Sequence, residues 1–378
     1  MPVHPRPDLL SPAQLERDLA IPDLSDPADG PHAIQLISEA AVAALAHAWD
    51  CEVRWSRGPR IVPIADNYDR LGYHRDAVTR AARYSRYVDG GHMLRAHSTA
   101  MVPAALRRLA AEPADDVLIA CPGIAYRRDA IDWQHTGTPH QLDLWRISRR
   151  RLTAADLDAM IATLLGALLP GRLSRQLARS HPYTRGGRQV DVARDGDWVE
   201  VWECGLAHKD VLAGAGLRGY TGLALGMGLD RMLMLRKQVP DIRLLRSADP
   251  RIAAQMQDLQ EYRPVSSQPP IRRDLSVAVD AREDAETLGD LVREALGADA
   301  DAVEDVAILS STEYADLPAQ AAARLGARPG QRNLLVRVVL RRLDRSMSDA
   351  EANDLRDRIY ARLHAGERHQ WAVAAGAG

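Results

Sequence analysis

Phenylalanine is missing altogether: the 378 residues contain Phe 0, although Tyr 10 and Trp 7 show that large rings are accommodated. Lysine is nearly missing too, standing only at Lys209 and Lys237, so arginine carries almost all the positive charge. A GC-rich coding bias explains the second gap and can thin out phenylalanine as well. Cysteine is limited to Cys51, Cys121 and Cys204, far apart and without metal-ligand spacing. That excludes a disulfide framework and argues against zinc, leaving reduced, buried thiols as expected of a cytoplasmic protein. Neither sign of charge dominates, the formal net charge being −2, so any nucleic-acid contact has to come from local patches. No apolar run approaches a membrane span, and no membrane partner is expected. Asp8, Glu16 and Asp18 near the start argue against a signal or transit peptide.

What is present, with 46% hydrophobic residues, suffices for two domains with proper cores. Residues 1–29, rich in proline and aspartate, are expected as an irregular lead-in, and 30–250 as a first domain. Ile34, Leu36, Ile37, Ala41, Val42, Leu45 and Ala46 recur at helical spacing between His32 and Trp49. Residues 66–88 are polar and rich in Tyr and Arg without periodicity, which reads as a surface loop. Thr153 before Ala-Ala-Asp caps a helix to Leu169. Residues 251–270 read as a linker, ending in Arg263-Pro-Val-Ser-Ser-Gln-Pro-Pro270. From 271 to 378 the pattern is strand 271–279, helix 284–296, strand 303–309, strand 333–340, helix 349–363 and strand 370–373, a β-α-β-β-α-β split motif. Along Arg324 to Arg345, seven arginines face one acid, Asp344, which suits phosphate contact or a solvated strand face.

The stretch from Tyr126 to Leu144 carries the most chemistry. The apolar run Val117–Cys121 leads in and Leu142, Leu144 and Ile147 lead out, predicting two strands joined by a polar loop. Arg127 ends one strand, while Gln141 and Asp143, two apart, share a face of the other. A guanidinium fork, an amide and a carboxylate suit a zwitterionic amino acid beside a phosphate; a solvated hairpin is the alternative. A second stretch, Gly222-Leu-Ala-Leu-Gly-Met-Gly-Leu-Asp-Arg231, reads as packing apart from Arg231, since a buried arginine needs an anionic partner.

Arg127-x-Asp129, His135 and His140-Gln-x-Asp143 resemble motif 2 of the class II aminoacyl-tRNA synthetases, in the version carried by phenylalanyl-tRNA synthetases. Gly222–Arg231 and Val239–Leu244 resemble motif 3 of the same family, and Leu94–Met101 its Arg-x-His-Thr-Ser element. Ile271–Ser276 and Leu335–Ser348 resemble its ferredoxin-like anticodon-binding domain. The resemblance implies an α+β fold: a mostly antiparallel synthetase sheet with flanking helices, then a C-terminal ferredoxin-like domain. It also implies an ATP-dependent ligase that forms an aminoacyl-adenylate and passes the acyl group to tRNA, most like the single-chain, organelle-type enzymes, which work as monomers. ATP would be held by Arg127, Asp129, His135, Gly226, Gly228 and Arg231, with Mg²⁺ on Glu200. The amino acid would be held by His97, Thr99, Gln141, Asp143, His181, Tyr183 and Ala224, and tRNA by Arg337, Arg341, Arg342 and Arg345.

Several positions depart from the family pattern. His181 and Tyr183 replace rings of a Phe-Pro-Phe-Thr element, Leu223 and Leu225 replace two more, and Asp143 stands for a longer Glu. Val102 takes a place often held by Gln, and Trp202 and Glu203 stand where small or aliphatic residues are usual. These changes leave open a polar aromatic or analogue as the substrate, and a non-catalytic tRNA-binding paralogue is a further alternative. A chain that handles tRNA for phenylalanine yet contains none could be made when that tRNA is uncharged or mischarged.

Overall fold

The structure, a computed structural model, describes residues 9–81, 84–265 and 269–369. The chain divides into two compact units, Met1–Arg127 with Thr138–Pro240 and Ala254–Tyr262, and Arg128–Gly137 with Asp241–Ala253 and Arg263–Gly378.

The strands of the first unit are β1 (Glu52–Trp55), β2 (Ile61–Pro63), β3 (His92–Leu94), β4 (Asp116–Ile124), β5 (His140–Ser148), β6 (Ser174–Ala178), β7 (Thr184–Arg194), β8 (Asp197–Ala207) and β9 (Thr221–Gly228). Seven of them build one sheet in the order β1-β4-β5-β9-β8-β7-β6, parallel only between β1 and β4. Mixed helix and strand around an antiparallel-dominated sheet is the architecture expected from the sequence. Side chains alternate between faces along each strand. One face is covered by the helices Ala33–Trp49, Ala154–Leu168 and Leu229–Lys237. The first of these buries Ile34, Ile37, Ala41, Val42 and Leu45, and ends where Asp50 turns left-handed at φ 47. On the other face Val117, Ile119, Trp145, Ile147 and Ala224 pack against Met101, Val102 and Leu106. Each fully buried aliphatic side chain contributes about 1.5–3 kcal/mol.

Two expectations for this unit are corrected. The lead-in is not irregular where it is described: Pro12–Ala20 is a helix with a reciprocal Ser11–Gln14 cap, and both Asp18 oxygens accept from Arg86 Nη1. Buried Asp23 accepts from the Ile124 N–H and from Arg95. Polar residues hid this, because they are buried by pairing. For the same reason residues 66–88 are not all surface loop. Tyr68 and Tyr87 are buried with their hydroxyls donating to the carbonyls of Thr79 and Arg80, so each ring packs while its polar tip is satisfied.

In the second unit β10 (Ile271–Asp280), β11 (Val303–Glu313) and β12 (Gln331–Leu340) form an antiparallel sheet in the order β10-β12-β11. Leu275, Val277, Val336 and Val338 pack against Leu288 and Val292 of the helix Ala285–Leu296 and Ile359 of the helix Asp349–Leu363. The strand expected at 370–373 lies outside the described residues. The expected linker is partly packed. Met256 and Tyr262 are buried, and the buried Lys237 ammonium donates to the carbonyls of Asp258 and Gln260.

The loop joining β4 and β5 is split between the units after Arg127. Its part 128–137 is built into the second. Ile131 enters that core and its carbonyl accepts from the Val306 N–H, while Arg293 donates to the carbonyls of Asp129 and Ala130. Gly289 permits this approach, since a Cβ there would lie 2.6 Å from the Asp129 oxygen.

Candidate active site

Register across the large sheet sets one row of residues in line: Cys121 pairs with Asp143, Asp143 with Gly226, and Gly226 with Glu203. Neighbouring strands lie about 4.8 Å apart, so the two acids are anchored roughly 10 Å from each other with a glycine between them. A Cβ on Gly226 would project to 3.9 Å from an Asp143 carboxylate oxygen, so glycine keeps that floor open. One step along, Gln141 faces Gly228; one step back, Trp145 faces Ala224.

Asp143 is buried and takes hydrogen bonds from Ser98 Oγ at 2.5 Å, Thr99 Oγ1 at 3.1 Å and Trp145 Nε1 at 3.2 Å. Burial nonetheless pushes its carboxyl up to about 6, because the three donors only partly replace water. Gln141 accepts from the Ser98 N–H at 3.0 Å, so Gln141, Asp143 and Thr99 converge on one segment. The fork, amide and carboxylate reading treated Asp143 as free for an ammonium; protein donors occupy most of its roughly four acceptor positions.

Next to Thr99, the His97 ring stacks on Tyr73 at 5.8 Å and meets Tyr68 edge-on at 6.2 Å. Burial, and then the charge of Arg127, hold it down to about 4, so it is a neutral imidazole at pH 7. Neither ring nitrogen completes a hydrogen bond. Tyr73 was not legible as a site residue, since nothing in its segment's spacing marks it.

His181 and Tyr183 lie on the turn that leads into β7, closed by the Thr184 N–H donating to the His181 carbonyl. Tyr183 is buried with its ring 5.9 Å from Trp145 and 6.4 Å from Tyr73. His181 lies 5.7 Å from Tyr183, and its Nε2 is 2.6 Å from the Glu203 carboxylate. Glu203 also accepts from Arg179 at 3.1 Å. Burial alone would raise Glu203, but His181 and Arg179 outweigh it and hold the carboxyl below its usual range. Glu200 is raised, by burial first and then by the charge of Glu203, while Arg231 opposes both.

Alternation also corrects the list of departures. Leu223 and Leu225 flank Ala224 and so point to the opposite face, as Trp202 does next to Glu203. The two leucines replace rings, and Trp202 a smaller residue, in the helix-covered core, and none of the three speaks to the site. His181, Tyr183, Asp143 and Glu203 remain on it.

Arg127 follows the end of β4, and Arg231 sits in the first turn after β9, where its guanidinium donates to the Glu200 carbonyl at 3.0 Å. Ile124 pairs with His140 and Gln141 with Gly228, so both arginines leave the same end of the sheet. That end is pinned by His140, which the sequence marks only as part of the His-Gln-x-Asp run: its ring lies 2.9 Å from one Asp230 oxygen, its N–H donates to the other, and its Nε2 accepts from the Leu24 N–H.

Asp129 and His135 are not part of this row; both belong to the second unit, where His135 is 2.6 Å from Asp132. The unbalanced arginine face is also corrected. Arg337 pairs with Asp274, Arg341 with Glu304, Arg342 with Asp299 and Arg345 with Glu351, at 2.8, 2.6, 2.7 and 2.6 Å. All four acids are outside the stretch counted along the chain. Among the described residues no group of three or more His, Cys, Asp or Glu could cage a metal ion. Nor is any described helix long and apolar enough to cross a membrane.

Residues 32–256 match the family described as tRNA synthetases class II core domain (F). Among known proteins, the chloroplastic/mitochondrial phenylalanine-tRNA ligase of Arabidopsis thaliana is 27% identical over 313 residues, covering 79% of this chain and 68% of its own length. A phenylalanine-tRNA ligase alpha subunit of Laribacter hongkongensis is 33% identical over 251 residues, 63% of this chain and 74% of that one. A third, the phenylalanine-tRNA ligase alpha subunit of Nostoc punctiforme, is 32% identical over 202 residues, 53% of this chain and 60% of that one.

Proposed function

The chain belongs to the class II tRNA synthetase core family, and from that premise we propose that it is an ATP-dependent aminoacyl-tRNA ligase of the phenylalanine type. The observation that carries the reading is the exit of Arg127 and Arg231 from one end of the sheet, beside the Asp143–Gly226–Glu203 row. In the first half-reaction the amino-acid carboxylate attacks the α-phosphorus of ATP; an acyl oxygen–phosphorus bond forms and the bond to the bridging oxygen breaks, releasing pyrophosphate. Both reactants are anions, so the work is neutralisation and alignment, and no side-chain nucleophile is needed. Arg127 forks onto the α-phosphate and Arg231 holds the far phosphate. Gly226 and Gly228 admit close backbone approach. Asp143 and Gln141, fixed by Ser98 and Thr99, orient the ammonium, and neutral His97 lies alongside.

Glu200, whose carboxyl is raised by burial and by Glu203, has the chemistry to take Mg²⁺, which binds through one or two carboxylates plus phosphate oxygens and needs no protein cage. When bound, the ion supplies charge neutralisation to the phosphates. In the second half-reaction the acyl group moves from the adenylate to a ribose hydroxyl of tRNA, and AMP leaves. Arg337, Arg341, Arg342 and Arg345 are the proposed tRNA contacts of the second unit. Charging of total tRNA with labelled amino acids tests the reading. Acyl-tRNA should accumulate only with ATP present; tRNA binding without any charging would make the chain a non-catalytic paralogue.

A further inference from the structure

Resting on that reading, we propose that the side-chain end of the amino-acid site selects an aromatic amino acid whose ring carries a hydrogen-bond donor, a phenol first of all, over phenylalanine. Of the unusual residues in the sequence, His181 and Glu203 reach this face and touch each other, 2.6 Å apart. In the neutral ring, the tautomer that points its N–H from Nε2 toward the carboxylate leaves Nδ1 as an acceptor. His181 has a side chain only 10% exposed, and its Nδ1 is buried without a hydrogen-bond partner. Arg179 holds Glu203 from the other side, so Glu203 is a positioning residue for the imidazole.

The packing around it is rich in rings. Tyr183 and Trp145 stand 5.9 Å apart, with Tyr73 6.4 Å from Tyr183. An aromatic substrate suits those walls. An unsubstituted ring would leave the Nδ1 acceptor unpaired, and a ring hydroxyl would satisfy it. Sites built around such a bond reject the analogue lacking it far more strongly than apolar pockets reject an added group.

Composition supports the same conclusion independently. Phenylalanine and tyrosine codons have the same G+C content, so a coding bias that leaves Tyr 10 does not account for Phe 0. A ligase that loaded a hydroxylated ring onto a phenylalanine-type tRNA would write that ring at phenylalanine codons. This chain offers none to be altered.

ATP–pyrophosphate exchange by the full-length protein, measured with phenylalanine, para-tyrosine, meta-tyrosine, 3,4-dihydroxyphenylalanine and para-aminophenylalanine, tests this. A donor-bearing ring should exceed phenylalanine by about 100-fold or more in kcat/KM. Glu203→Gln, which keeps the shape, and His181→Phe should each cut that ratio at least tenfold, largely through the donor-bearing substrate. Phenylalanine as the best substrate of the unaltered protein overturns the inference and leaves the ligase reading standing. A ratio unmoved in both variants also overturns it. Exchange with no member of the panel sinks the ligase reading and this inference together.

Discussion

At the scale of single residues, the site depends on buried charges whose surroundings set their state. Arg95 donates to the carbonyls of Ile124 and Gly58 and reaches Asp23, and its guanidinium occupies the space where a Cβ on Gly123 would be. Gly123→Ala should therefore displace a buried, paired cation and cost about 3–5 kcal/mol, read from urea unfolding; a loss below about 1 kcal/mol contradicts this packing. The carboxyl of Asp143 is pushed up from 3.8 to about 6, so folding takes up a proton between those values and this group's contribution to stability falls as pH rises through them. His97, held down from 6.5 to about 4, works in the opposite sense, its contribution being lost as pH falls through that span. Asp143→Asn removes only the first effect. Relative to the unaltered protein, its stability should rise by about 1.4 kcal/mol per pH unit between about 4 and 6, and a flat difference contradicts the assignment. In activity, kcat/KM for the amino acid should fall as pH drops below about 6, as the carboxylate takes up its proton.

At the scale of elements, what was legible was what periodicity marks. The helix Ala33–Trp49 and the three strands and two long helices of the second unit follow from spacings of 3.6 and 2, whereas the short helix Ala319–Leu325 between β11 and β12 was not expected. The buried tyrosines at 68 and 87 were not legible, since their burial depends on distant carbonyl partners. The arginines of β12 and the segment after it misled for the same reason, because Asp274, Glu304 and Asp299 arrive from other strands or turns. The Arg337–Asp274 pair is exposed and exchanges partners at little cost, while Arg341 and Glu304 are half-buried. Removing Asp274 and Glu304 together as alanines should free Arg337 and Arg341 for phosphate. Measured in filter binding, tRNA affinity should rise, and the slope of log K against log salt should steepen by about 1.4 for two added contacts at single-strand values. An unchanged slope would take these two arginines out of the proposed tRNA surface.

At the scale of the whole molecule, the two motifs that resembled a synthetase were readable because each is a run of neighbours along the chain. The site between them was only half readable. Cross-strand register sets Glu203 level with Asp143 and turns Leu223, Leu225 and Trp202 to the other face, and no spacing along the chain states that register. Nor does any pattern announce that the loop is divided after Arg127, with Asp129 and His135 counted in the second unit. The central claim remains that Arg127 and Arg231 act on one triphosphate at one end of one sheet. ATP–pyrophosphate exchange by the unaltered protein and by Arg127→Ala and Arg231→Ala, with tRNA affinity followed in parallel, tests it most directly. The account predicts exchange in the first, its loss in each variant, and nearly unchanged tRNA binding. Exchange retained in either variant contradicts it.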